Sequence, residues 1–189
     1  MKKTLIIFNH PNFENSVFNR AFIEKAKQQE NVLVRHLDAI YGSNTKSFDI
    51  QKEQEFLVEY ERIIFQFPLY WFSTPAMLKA YQDMILSYGF AYGKSGDKLV
   101  GKEFKAIVTI GAMEEAYQAD GWNEKSLNEI LSPLQTMARF CGMIYTRAFA
   151  TFSTTAKQFE NQEITEIVDK YVELLQNQNW CDHITKYQR

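Results

Sequence analysis

Five short apolar runs, each followed by a stretch of helical periodicity, constrain this chain more than any other feature. The runs are "KTLIIF" (3–8), "NVLVRHL" (31–37), "RIIFQF" (62–67), "KAIVTIG" (105–111) and "MIYTRAFATF" (143–152). "KTLIIF" is continuously apolar and rich in branched residues, as expected of a strand buried on both faces. Between the runs, "SVFNRAFIEKAKQQ" (16–29) sets Val17, Phe18, Ala21, Phe22 and Ala26 at helical spacing, with Ser16 as the N-cap. "DIQKEQEFLVEYE" (49–61) reads as a helix capped by Asp49, and "PAMLKAYQDMILSYG" (75–89) as one that opens on Pro75 and stops at Gly89. "EKSLNEILSPLQTMARFCG" (124–142) reads as helix bent at Ser132-Pro133, and "ITEIVDKYVELLQNQ" (164–178) as the last helix. Strands alternating with helices imply right-handed crossovers and one parallel sheet covered on both faces.

The chain of 189 residues suits a single domain over 1–189, and 46% hydrophobic against 23% charged residues suits a globular core. A net charge of −2 without a basic stripe gives no sign of nucleic-acid binding. The opening "MKKTLIIF" is cut short by Asn9, His10 and Pro11, so it does not read as a signal peptide, and no segment is long enough for membrane insertion. Cys141 and Cys181 form no CxxC pair; two thiols in a reducing cytosol are expected, which places the protein in the cytoplasm. No metal is expected.

Two strand orders are common for such a sheet. In the order 2-1-3-4-5 the switch point falls between strands 1 and 3, and ligands sit beyond the carboxyl ends of the strands there. Three loops then matter: 9–16, 68–74 and 111–123. In the first, "NHPNFENS" runs into a helix start, where free backbone N–H groups and the helix dipole favour an anion. His10, Ser16 and Asn19 add side-chain donors. An ordinary capped helix after a strand is the plainer reading. The loop is neither a Walker A sequence nor GxGxxG. The second loop, "FPLYWFSTP" (67–75), crowds four aromatic rings between two prolines. Trp71 and Phe72 offer a surface for a flat ligand, and the backbone N–H groups of 69–72 offer hydrogen bonds to its heteroatoms. Pro68 and Pro75 stiffen the loop. A packed aromatic loop or a subunit contact fits the same residues.

"HPNFENSVFNRA", "FQFPLYWFSTPAMLKAYQD", "LSYGFAYG", "TIGAMEEAYQ" and "LSPLQTMARFCGM" together resemble the NAD(P)H:quinone oxidoreductase family of flavodoxin-like flavoproteins, over about residues 4–152. That family includes bacterial quinone reductases, the modulator-of-drug-activity type and the ancillary proteins of glutathione-gated potassium efflux. The resemblance implies an α/β, flavodoxin-like fold: a five-stranded parallel sheet of order 2-1-3-4-5 with helices on both faces. It implies a flavin phosphate held by His10, Ser16, Val17, Phe18 and Asn19. The isoalloxazine would lie against Pro68, Leu69, Tyr70, Trp71 and Phe72, with Thr109, Ile110, Gly111 and Ala112 at the ring edge and Tyr117 behind them. Tyr92 of "FAYG" resembles a tyrosine that reaches the substrate pocket from the other subunit of a homodimer; Tyr92 and Tyr117 are the candidate catalytic residues.

The implied activity is NAD(P)H dehydrogenase (quinone): ping-pong, two-electron hydride transfer from NADH or NADPH to a quinone or other flat aromatic acceptor. Some relatives pair the tyrosine at 117 with a histidine a few residues on. Here the histidines are His10, His36 and His183, so that relay is absent. The chain is shorter at its C-terminus than the mammalian-type relatives, which favours FMN over FAD. The rival implied by the same resemblance is a flavin-binding regulatory subunit of a potassium efflux antiporter. A one-electron carrier of flavodoxin type fits poorly, because those proteins are strongly acidic and use a Ser/Thr-Gly-rich phosphate loop. The resemblance and the apolar residues Met77, Leu78, Tyr81, Met84, Ile85 and Tyr88 both lead to the expectation of a homodimer with a shared active site.

Overall fold

A computed structural model describes residues 1–155 and 158–181; His183 lies outside the described residues. Five strands form one parallel sheet: β1 (Thr4–Phe8), β2 (Val32–His36), β3 (Arg62–Pro68), β4 (Glu103–Thr109) and β5 (Ile144–Thr151), in the order β2-β1-β3-β4-β5. The central strands β1, β3 and β4 are buried at every position, which is why their sequences read as continuous runs. The edge strand β5 keeps exposed positions and shifts register against β4 between Lys105 and Ile107.

The helices are α1 (Val17–Lys27), α2 (Leu37–Tyr41), α3 (Ile50–Glu59), α4 (Ala76–Ile85), α5 (Leu127–Ile130), α6 (Ser132–Phe140) and α7 (Asn161–Gln176). One face of the sheet packs Ile6, Phe8, Ile64 and Ile107 on Phe18, Phe22 and Ala26 of α1 and Val168, Tyr171 and Leu175 of α7. The other packs Leu5, Ile7, Ile63, Phe65 and Phe104 against Leu78, Tyr81 and Ile85 of α4, Leu134 and Ala138 of α6, and Leu57 of α3. Phe22 and Tyr171 stack at 4.4 Å between ring centres and tie α1 to α7. Among the described residues no helix is long and apolar enough to cross a membrane.

Several boundaries differ from the sequence reading, each for a local physical reason. The helix expected over 75–89 stops at Ile85, because Gln54 Nε2 donates to the Ile85 carbonyl at 2.9 Å and to Ser87 Oγ at 3.1 Å. Gly89, with φ +80°, belongs to the turn beyond. The helix expected over 124–142 is two, α5 and α6, with Pro133 in the first turn of the second. The last helix opens at Asn161 instead of 164, where Glu160 and Glu163 form a reciprocal capping box. β4 starts two residues before its apolar run. Glu103, one of those two, and Lys105, which opens the run, are buried because Arg62 and the Arg147 carbonyl give them partners.

Candidate active site

The carboxyl ends of β1, β3 and β4 open on a cleft of about 350 Å³. It lies at the switch point, between chain segments that leave β1 and β3 toward opposite faces of the sheet. One wall is the segment from β1 to α1, with His10, Ser16, Val17 and Phe18. The second comprises Pro68, Leu69 and Tyr70, and the third Thr109 and Gly111. Asn12, Asn15, Thr154 and Thr155 complete the lining.

The β1–α1 end has the chemistry to attract an anion. Ser16 caps α1, its Oγ accepting from the Asn19 N–H at 3.3 Å and from Asn19 Nδ2 at 3.2 Å. The first-turn N–H groups of Val17 and Phe18 have no intrahelical acceptor, and they sit at the positive end of the helix dipole. His10 accepts the Asn12 N–H on Nδ1 at 3.1 Å, so a neutral ring carries its proton on Nε2 as a further donor. Burial pushes the His10 pKa below its ordinary value, which keeps the ring neutral near pH 7. Beneath the loop, Asp38 accepts from Asn9 Nδ2 at 2.6 Å and from the His10 N–H at 2.9 Å. Burial alone would raise the Asp38 pKa; His36, 3.6 Å away, and these two bonds hold it below its ordinary value. The carboxylate thereby pins the start of the loop.

The β3 end is a tight turn. Tyr70 and Ser73 exchange backbone hydrogen bonds of 3.1 and 3.0 Å, which forces Trp71 and Phe72 into the left-handed region at φ 48° and 61°. Such a conformation costs an ordinary side chain roughly 1–2 kcal/mol. The turn lifts Trp71 into solvent at 93% exposure and Phe72 at 47%. Two bulky residues are thus held there against strain and against their own hydrophobicity.

The sequence-predicted residues divide. Nine of them line the cleft: His10, Ser16, Val17, Phe18, Pro68, Leu69, Tyr70, Thr109 and Gly111. Asn19 does not; it is fully buried and donates to Thr109 Oγ1 at 2.8 Å, behind the cleft wall. Ile110 is buried, and its N–H is spent on the Thr151 carbonyl at 2.8 Å. The Leu69 N–H is spent on the Thr109 carbonyl at 2.9 Å and the Tyr70 N–H on Ser73, so of the amides 69–72 those of Trp71 and Phe72 remain available. Trp71, Phe72 and Ala112 are exposed and do not line the cleft.

Tyr117 lines a neighbouring cavity of about 420 Å³ with Gln118, Leu127, Arg147 and Phe152. Burial pushes its phenol above the ordinary value, so it stays a hydroxyl at neutral pH. Tyr92 lines neither cavity and packs between Tyr88 and Phe140, at 5.9 and 5.2 Å between ring centres.

Asn12, Asn15, Thr154 and Thr155 were missed. The switch-point rule points away from β5, but the polar run Ser153-Thr154-Thr155 at its carboxyl end was a visible signal. Thr155 approaches so closely that a Cβ on Gly111 would lie 2.5 Å from its Oγ1, so a larger residue at 111 would push the Thr155 side chain aside. Donors at the helix end, an apolar wall of Pro68 and Leu69, and a small-residue edge at Gly111 suit a flat ligand carrying a phosphate. A flavin mononucleotide has that chemistry.

A family profile described as flavodoxin-like fold matches residues 2–175. The chain belongs to the flavodoxin-like family. Among proteins similar to this flavodoxin-like chain is the uncharacterized NAD(P)H oxidoreductase YrkL of Bacillus subtilis, 38% identical over 173 residues, which are 92% of this chain and 97% of the relative. The glutathione-regulated potassium-efflux system ancillary protein KefG of Cronobacter sakazakii is 42% identical over 141 residues, 75% of this chain and 76% of that protein. Among solved structures, general stress protein 14 of Treponema denticola in complex with FMN is 32% identical with a TM-score of 0.85, covering 92% of this chain and 98% of that one.

Proposed function

We propose that this chain is an FMN-dependent NAD(P)H oxidoreductase that reduces quinones or similar flat aromatic acceptors by two electrons, in ping-pong fashion. The observation that carries the reading is a cleft shared by a helix end suited to an anion and the wall Pro68, Leu69 and Tyr70, with Tyr70 opening a strained turn that holds Trp71 and Phe72 out in solvent beyond the cleft. The similarity to an NAD(P)H oxidoreductase and to an FMN complex supports it.

The N–H groups of Val17 and Phe18, with Ser16 Oγ and His10 Nε2, would hold the phosphate; all are neutral donors, so the helix end supplies the attraction. Pro68, Leu69 and Tyr70 would support the ring. The N–H groups of Trp71, Phe72, Gly111 and Ala112 would stabilise negative charge developing at its edge. A flavin, when bound, supplies the hydride chemistry for nicotinamide and acceptor in turn. The exposed turn leaves room for both to use one face alternately. Tyr117, held as a hydroxyl, is a proton donor within the same loop cluster.

Tyr92 would act on the cleft of a second subunit in a homodimer. Tyr88, Phe140 and Trp71 are exposed at 66%, 68% and 93%, and a two-fold contact would cover such residues. Sedimentation at twice the chain mass, together with recovery of one site in a mixed dimer of a cleft mutant and Tyr92→Ala, tests this. A monomer, or demonstrable mixed dimers without recovery, removes the shared site.

The deciding experiment is on the purified protein. Mass and absorbance of the released cofactor should identify FMN. Anaerobic NADH or NADPH should bleach the visible absorbance, and a quinone should restore it within the turnover time. Protein that takes up neither FMN nor FAD overturns the reading. The similarity to KefG favours a second reading, an ancillary subunit on a potassium-efflux antiporter. Flavin uptake without bleaching by either nicotinamide would select it.

A further inference from the structure

Behind the cleft wall runs a chain of side-chain hydrogen bonds that crosses both helices on one face of the sheet. Tyr171 of α7 is bonded through its hydroxyl to Gln66 Oε1 at 3.0 Å. Gln66 Nε2 donates to Asn19 Oδ1 at 3.1 Å. Asn19 Nδ2 carries two protons and uses both, toward Thr109 Oγ1 at 2.8 Å and Ser16 Oγ at 3.2 Å. Tyr171, Gln66 and Asn19 are fully buried, while Thr109 and Ser16 line the cleft.

The chain has a direction, and Tyr171 sets it. Burial pushes the Tyr171 phenol far above its ordinary value, so it always carries a proton. Among the described residues Gln66 is its one hydrogen-bond partner, and a buried O–H without an acceptor is costly. The Gln66 amide must therefore turn its oxygen to Tyr171 and its nitrogen to Asn19. Asn19 must then turn its oxygen to Gln66 and its nitrogen to the two hydroxyls. Ser16 Oγ already accepts twice, from the Asn19 N–H and from Asn19 Nδ2. Thr109 Oγ1 accepts from Asn19. Each hydroxyl keeps its own proton for the cleft.

We propose that Tyr171, Gln66 and Asn19 are positioning residues that fix the polarity of Ser16 and Thr109, so that both donate hydrogen bonds to the ligand. The inference rests on the flavin reading of the cleft. Flipping both amides would turn the two hydroxyls inward, to donate to Asn19 Oδ1, and the ligand would lose two donors. Such donors select a ligand group rich in acceptors, and the phosphate, ribityl chain and ring heteroatoms of a flavin all qualify.

The test is a double-mutant cycle read by FMN dissociation constant and by the midpoint potential of the bound flavin. Thr109→Val should weaken FMN binding about tenfold, the worth of one good hydrogen bond, and Thr109→Ser should restore it. Tyr171→Phe should weaken FMN roughly threefold, because the amides lose the acceptor requirement that orients them. The decisive arm is the double variant: in the Thr109→Val background Tyr171→Phe should cost measurably less than in wild type, because only Ser16 is then left for the amides to orient. Additive losses, or a Tyr171→Phe protein that melts lower but binds FMN as well as wild type, would overturn the inference while leaving the flavin reading intact. Should Thr109→Val not fold, the same cycle with Ser16→Ala decides. Wild-type protein that binds no flavin removes both.

Discussion

At the amino ends of the strands Arg62 is sealed on every side, whereas at the carboxyl ends Ser16 and Thr109 each keep a proton to offer. Arg62 is fully buried, with Nε on Glu103 at 2.6 Å, Nη1 and Nη2 on the carbonyls of Asn177 and Gln178 at 2.7 and 2.8 Å, and its guanidinium 4.2 Å from the Trp180 ring centre. Glu103 takes Lys2 as a second cation at 2.6 Å, and Lys105 Nζ donates to the Arg147 carbonyl at 2.6 Å. The bonds of Arg62, Glu103 and Lys105 go to the chain itself, so this cluster serves stability. The carboxyl end spends its buried bonds on holding donors in a chosen orientation, so it can bind. The same low dielectric serves closure in one place and recognition in the other.

The contrast breaks most visibly at Arg62. Arg62→Met leaves the Glu103 carboxylate without its buried cation and two carbonyls without donors. Removing one partner of a buried pair costs about 3–5 kcal/mol. Chemical denaturation should show a loss of that size, while FMN affinity of the folded fraction stays unchanged. A comparable loss of FMN affinity would mean that the two ends of the sheet are coupled.

Lys105 gives a pH test of the sealed end. Burial, with help from Arg62, lowers its pKa to about 8 despite the attraction of Glu103. The unfolded chain therefore binds more protons than the folded one between about pH 8 and 10.5, and stability should rise with pH across that window. Below about pH 8 the ammonium is buried at full cost. Cys141, Cys181 and Tyr171 have raised pKa values and act in the opposite sense, so the comparison is with Lys105→Met. The difference between wild type and variant should change by on the order of 3 kcal/mol across the window. A flat difference would show that Lys105 titrates normally.

At the open end, Ser16→Asp places a carboxylate at the α1 N-terminus. It remains a good cap, so stability should move by less than about 1 kcal/mol. FMN affinity should fall at least tenfold, about 1.4 kcal/mol, through repulsion of the phosphate. Isothermal titration with FMN and with riboflavin separates the causes: riboflavin, lacking the phosphate, should lose less. Equal losses for both would move the phosphate away from α1.

Most of the sheet and the three loops around the cleft were legible in the sequence, because β1, β3 and β4 are buried on both faces and are apolar at most positions. What stayed hidden depended on partners distant in sequence. Glu103 looks like a loop residue, and Lys105 an odd opening for a buried strand, until Arg62 and Trp180 are set beside them. Gln54 ends α4 from another helix. Asn19 reads as a ligand donor beside Ser16, but its bonds to Gln66 and Thr109, 47 and 90 residues away, turn it into an internal strut. Thr154 and Thr155 reach the cleft from β5, beyond the strands that the switch-point rule names.

Trp71 carries the smallest expected effect on stability and the sharpest test of why the open end is strained. Its side chain is 93% exposed, so little burial is lost when it is removed, and its φ of 48° suits glycine. Trp71→Gly relieves the left-handed penalty but adds freedom to the unfolded chain, two opposing terms of about 1 kcal/mol each. The melting temperature should therefore hardly change. If the turn exists to present the ring to ligands, KM for NAD(P)H and for the quinone should both rise several-fold while the folded protein remains as stable. If the ring serves the proposed subunit contact instead, sedimentation of a dimeric wild type should shift toward monomer at low micromolar concentration. Unchanged kinetics with an unchanged dimer would mean that the strain at Trp71 is incidental, and that the contrast between a sealed end and an open one rests on Ser16 and Thr109 alone.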